Sequence, residues 1–220
     1  MISLSSEQKA FCLKDSDEKR QYLARLLMGG GTRLLREKFD SIYKPENLEL
    51  TFSDPAITGK LKRILTHREW NCLCPLNPGK CTSSSNFDFW LILKLFRTIS
   101  GLTLPVTGWC TMPPQGFSFE EDLARLESYS SSIYRQEMTD ANFSYFWKAI
   151  SEAFLRIAGG ISPEKRSEWE IFIDEFLQDP LTSQEANQYV KQLRAWKVRE
   201  VVDAFETQAE SWTKSEYAIN

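Results

Sequence analysis

Histidine is almost missing. The chain of 220 residues contains one, His67, which excludes any mechanism that needs two imidazoles. A basic surplus is missing as well. Twenty-seven basic residues against 30 acidic ones leave a net charge of −3 and a pI near 5.4, whereas a general binder of phosphate backbones carries an excess of positive charge. No run approaches the roughly 18 consecutive apolar residues of a membrane span, so no membrane partner is expected. Residues Met1 to Leu13 lack the basic-then-apolar order of a secretory leader. Cysteines number five, an odd count. Without a leader, that points to unpaired thiols in a reducing, cytoplasmic setting rather than to a disulfide framework. Internal repeats and low-complexity runs are absent too.

What is present suits a folded domain. Apolar residues make up 42% of the chain and aromatics 13%, too many for disorder and enough for one sizeable core. Helical signals recur along its length. Residues 1–16 read as a flexible segment. Asp15 or Ser16 caps a helix with Tyr22, Leu23, Leu26 and Leu27 on one face. Gly29-Gly30-Gly31 then predicts a break, because each helical glycine costs about 1 kcal/mol against alanine. The pattern resumes at Leu34, Leu35 and Phe39 and closes at Pro45. The alternation of Asn47 to Phe52 resembles a short strand. Ser53-Asp54-Pro55 opens a helix carrying Ile57, Leu61, Ile64 and Leu65, and a loop is expected from Asn71 to Ser85. Residues 86–100 are apolar on nearly every face, which places that helix inside a bundle. A second long loop, 104–117, leads to Ser118 and the acidic first turn of the next helix. Further helices start at Thr139 or Asp140 and at Ser162-Pro163, and end at Gly159-Gly160 and Asp179-Pro180. Residues 181–220 read as a long final helix. The fold class is therefore all-α: a bundle of six or more helices with two long loops, its main domain spanning 17–180.

Several stretches together resemble a known family: Gly29-Gly30-Gly31-Thr32-Arg33, Pro45-Glu46-Asn47-Leu48, Pro105-Val106-Thr107-Gly108-Trp109, Asp122-Leu123-Ala124-Arg125-Leu126 and Phe146-Trp147-Lys148-Ala149-Ile150-Ser151. They are similar to the HEPN-like domain of the DAZ-interacting zinc-finger ubiquitin ligase type, over roughly residues 20–205. The resemblance implies a helical HEPN bundle that self-associates face to face. It also implies a nucleolytic motif, since many HEPN proteins are metal-independent ribonucleases with an arginine, a polar residue and a histidine on one helix. In this family a tyrosine precedes Arg-Asn, and a histidine follows after four further residues. Here Tyr129 is followed by Ser130 and Ser131, and Gln136 stands at the histidine position.

That departure removes the chemistry. Cleavage through a 2′-hydroxyl needs a group to take a proton and a cation to hold the phosphorane charge. Gln136 cannot titrate, and Ser130 offers no guanidinium. The expectation is a pseudoenzyme: a non-catalytic protein-binding module that needs no cofactor and forms dimers within a multidomain signalling context, ubiquitin-related or innate-immune in type. Its interface candidates are Arg125, Tyr129, Ser130, Ser131, Tyr134, Arg135 and Gln136. The alternative is a metal-independent endoribonuclease or an RNA-binding domain. It would draw on Arg125 or Arg135, with Lys60, Lys62, Arg63 and Arg68 as contacts for phosphate or an acidic partner. At this net charge nucleic acid ranks below protein. His67, Cys72, Cys74 and Cys81 are close in sequence, but a Cys-x-Cys pair with one histidine lacks zinc-site spacing. Packing is the preferred role for those thiols.

Overall fold

A computed structural model describes residues 15–74, 82–103, 105, 108–109 and 116–195, and every regular element among them is helical. The first helix, α1 (Ser16–Ala24), starts where Asp15 accepts the Glu18 N–H at 2.6 Å. It runs without a break through a π-helical turn, Arg25–Gly30, into α2 (Gly31–Ile42). The glycine triplet therefore widens the helix instead of interrupting it, and Gly30 and Gly31 keep right-handed helical angles. The local cost of glycine is offset by tertiary packing. Side chains at Gly29, Gly30 and Gly31 would begin 3.1 Å from the Tyr189 ring, 3.2 Å from Phe154 and Phe176, and 2.7 Å from Phe89. Only a bare backbone admits four aromatic rings this closely.

A 3-10 turn, Pro45–Asn47, leads into α3 (Leu48–Ser53), which is a helix where the alternating sequence suggested a strand. Leu48 and Phe52, four residues apart, are buried, while Leu50 between them is 76% exposed. The spacing of the buried pair is helical. Asp54 accepts from the backbone of Ala56 at 2.7 Å and Ile57 at 3.3 Å to start α4 (Pro55–Leu61). That helix stops at Leu61 and does not continue through Leu65, and Ile64 lies exposed in the turn that follows. The expected loop beginning at Asn71 starts later, because α5 (His67–Leu73) occupies its first residues. A reciprocal cap between Thr66 and Glu69 sets that helix. Next comes α6 (Phe89–Ile99), capped by Asp88 and buried on most of its circumference as anticipated.

The C-terminal half follows the sequence signals. Ser118 and Glu121 form a capping box for α7 (Phe119–Arg135), Thr139 caps α8 (Asp140–Gly159), and Ser162 caps α9 (Pro163–Gln178). Residues 183–195 form a last helical stretch, α10. The expected N-terminal segment through residue 14, and the final helix beyond residue 195, lie outside the described residues. Helix α8 is the hub, packing on α9, α7, α2 and α1, while α6 packs on α2 and α4. Trp90 and Trp147 are buried and Trp109 half-buried. Among the described residues no helix is long and apolar enough to cross a membrane.

Candidate functional site: an arginine and tyrosine seam between α7 and α8

The first turn of α7 carries Asp122, whose carboxylate is 1% exposed. Burying that charge is tolerable only with cations beside it. Arg125, one turn on, donates from Nη1 to Oδ1 at 2.9 Å. Arg156 reaches across from α8 and donates from Nη2 to Oδ1 at 2.7 Å and from Nε to Oδ2 at 2.9 Å. Arg125 also donates to the Gly116 carbonyl. Both guanidiniums lie over the ring of Phe117, at 5.0 Å for Arg156 and 5.7 Å for Arg125, and this ring is 75% exposed.

One turn further along α7 stands Tyr129, buried and edge-on to Phe146 at 5.9 Å and to Tyr145 at 6.5 Å. Burial pushes the Tyr129 phenol up to about 12. The neighbouring Tyr145 adds to the rise, while Arg125 and Arg156 pull the other way. Arg156 is held more firmly as a cation by its hydrogen bonds to Asp122. Tyr145 is itself 58% exposed. The seam is thus a rigid, charge-paired strip of buried polar groups with exposed aromatic rings on it.

Of the sequence candidates, Arg125 and Tyr129 meet in this seam. Ser130 is buried beside them, its hydroxyl donating to the Glu127 carbonyl at 2.6 Å, and Ser131 is half-buried. Tyr134, Arg135 and Gln136 are exposed at the far end of α7. There Arg194 sits 5.9 Å over the Tyr134 ring. Arg20 donates to the Ile133 and Gln136 carbonyls at 3.3 Å and 3.2 Å. Sequence reading missed Phe117, Asp122, Tyr145 and Arg156 as members of the site. The Asp122–Arg125 spacing, three apart on one helix, was an available signal. Arg156 comes from another helix, and nothing local announces it.

The remaining candidates lie elsewhere. Lys60, Lys62, Arg63, His67 and Arg68 are exposed on α4, α5 and the turn between them, with the Lys62 ammonium 5.2 Å from the Trp70 ring centre. Cys72 and Cys74 are half-buried against the core, and burial pushes the Cys74 thiol up. Among the described residues no three His, Cys, Asp or Glu side chains are grouped to hold a metal. Cys81 lies outside them.

An all-α bundle packed around α8 is consistent with a HEPN-like domain. The profile of the DZIP3/hRUL138-like HEPN family matches residues 45–189, and the chain belongs to that family. It is 27% identical over 147 residues to the E3 ubiquitin-protein ligase DZIP3 of Homo sapiens, and equally so to the Mus musculus protein of that name. Each match covers 62% of this chain but only 12% of the relative. No solved structure matches the chain.

Proposed function

We propose that this chain is a non-catalytic HEPN-like module that associates with protein, in the first place with a second copy of itself, through the α7–α8 seam. The observation that carries the reading is a pair of exposed aromatics on the seam: Phe117 under guanidiniums already locked by Asp122, and Tyr145 edge-on to the buried Tyr129. Tyrosine and arginine dominate the energetics of protein interfaces. Side chains held in place before contact also lose little entropy on binding.

The same groups are poorly suited to turnover. General acid–base catalysis needs a group that titrates near the working pH. The Tyr129 phenol stays neutral up to about 12, the guanidiniums stay cationic, and the chain's one histidine is on α5. The relatives' name supports a ubiquitin-related setting.

Light scattering on the purified chain tests the association. The wild type should have the mass of a dimer at micromolar concentration, and the Phe117→Asp/Tyr145→Asp double variant that of a monomer. Both positions are exposed, so the fold should tolerate the change. A monomeric wild type, or a double variant that remains dimeric, removes the proposal.

A further inference from the structure

On another side of α8, where it packs against α9, lies a cleft of about 460 Å³. Its apolar surface includes Trp147 and Ile173, both buried. Two donors among its lining residues, the Trp147 indole N–H and the Ser151 hydroxyl, are buried and have no hydrogen-bond partner among the described residues. Leaving such a group unsatisfied is costly, and a carbonyl seated in the cleft would relieve that cost once a small side-chain shift, common on binding, uncovers the donors. Three carboxylates, Glu152, Glu170 and Asp174, line the cleft against one ammonium, Lys148. Glu170 and Asp174 are four residues apart on α9 and so lie on one face of it. Both are exposed, and Arg166 approaches Glu170 only loosely, at 3.7 Å in an exposed pair.

We infer that this cleft receives a segment of a partner protein bearing an arginine. The guanidinium would sit between Glu170 and Asp174, the aliphatic stem on Trp147 and Ile173, and a backbone carbonyl against the Trp147 and Ser151 donors. The charge of the lining selects a cation. Two carboxylates on one helix face suit a planar, multi-donor group. The inference stands apart from self-association through the seam, because its residues on α9 take no part there.

The test is a titration of the full chain with a blocked pentapeptide holding a central arginine between leucines. The readout is the indole N–H resonance of Trp147 in a nitrogen–proton correlation spectrum, assigned by its loss in Trp147→Phe. Saturable movement of that resonance is expected, with binding at least tenfold weaker for the citrulline counterpart and for the Glu170→Gln/Asp174→Asn variant. No movement, or equal binding of the citrulline peptide, overturns the inference. Repeating the titration on the Phe117→Asp/Tyr145→Asp chain separates this result from the fate of the dimer.

Discussion

Asp122 of α7 grips Arg156 of α8 with both carboxylate oxygens, at 2.7 Å from Nη2 to Oδ1 and 2.9 Å from Nε to Oδ2. A bidentate pair of this kind fixes direction as well as distance, so it ties the two helices in one register. Arg125 shares the same carboxylate, which leaves one buried anion serving two cations. Asp122→Asn keeps the shape and deletes the charge, so both guanidiniums would then rest on a neutral amide. Breaking a buried pair in this way costs about 3–5 kcal/mol. Because the Arg156 and Arg125 side chains remain 24% and 10% exposed, a loss near the lower end is expected. Urea unfolding monitored by far-ultraviolet circular dichroism checks it, and a midpoint equal to that of wild type would contradict the role given to Asp122.

Tyr129 gives the fold an alkaline limit. The folded state holds its phenol neutral up to about 12, while an exposed tyrosine ionises near 10. A raised folded value means that the unfolded chain releases this proton first. The stabilisation is complete below pH 10 and is lost as the pH climbs through about 12. Tyr129 should therefore ionise late in an ultraviolet titration. Tyr129→Phe should remove that late step and flatten the fall of stability between pH 10 and 12.

Two helical glycines should respond to alanine in opposite directions. At Gly31 the new methyl carbon would lie 2.7 Å from Phe89, a ring that is 2% exposed and pinned edge-on to Trp90 at 4.8 Å. Overpacking of that kind costs about 1–3 kcal/mol, which outweighs the gain in helix propensity. At Gly59, in α4, nothing lies within 4 Å of the added carbon, and only the gain of about 1 kcal/mol remains. Thermal unfolding should show a lower midpoint for Gly31→Ala and a higher one for Gly59→Ala.

The seam should not cleave RNA. Single-stranded RNA incubated with the chain in EDTA is expected to remain intact, because no imidazole accompanies Arg125 and Arg156. Metal-independent cleavage that disappears in Arg125→Ala would restore the nucleolytic reading and refute the binding one.

Legibility in the sequence followed how local each cause is. Helix starts at Asp15, Asp54, Ser118, Thr139 and Ser162 were readable because a cap acts within three residues. The span 48–53 was not, since two apolar positions around Leu50 fit a strand and a helix equally. The glycine triplet misled for a different reason. Its intrinsic cost is local, but the rings of Phe89, Phe154, Phe176 and Tyr189 that repay it come from four other helices. The site divides along the same line. Arg125 and Tyr129 could be named from one helix, whereas Arg156 enters from 34 residues away.

Amide hydrogen exchange at low and high protein concentration reads the associating surface itself. Protection that grows with concentration along 117–131 and 141–156, and nowhere else in the bundle, is the predicted result. Exchange that is unchanged along those two stretches, or protection that gathers instead on α3 to α5, would contradict the seam as the place where copies meet.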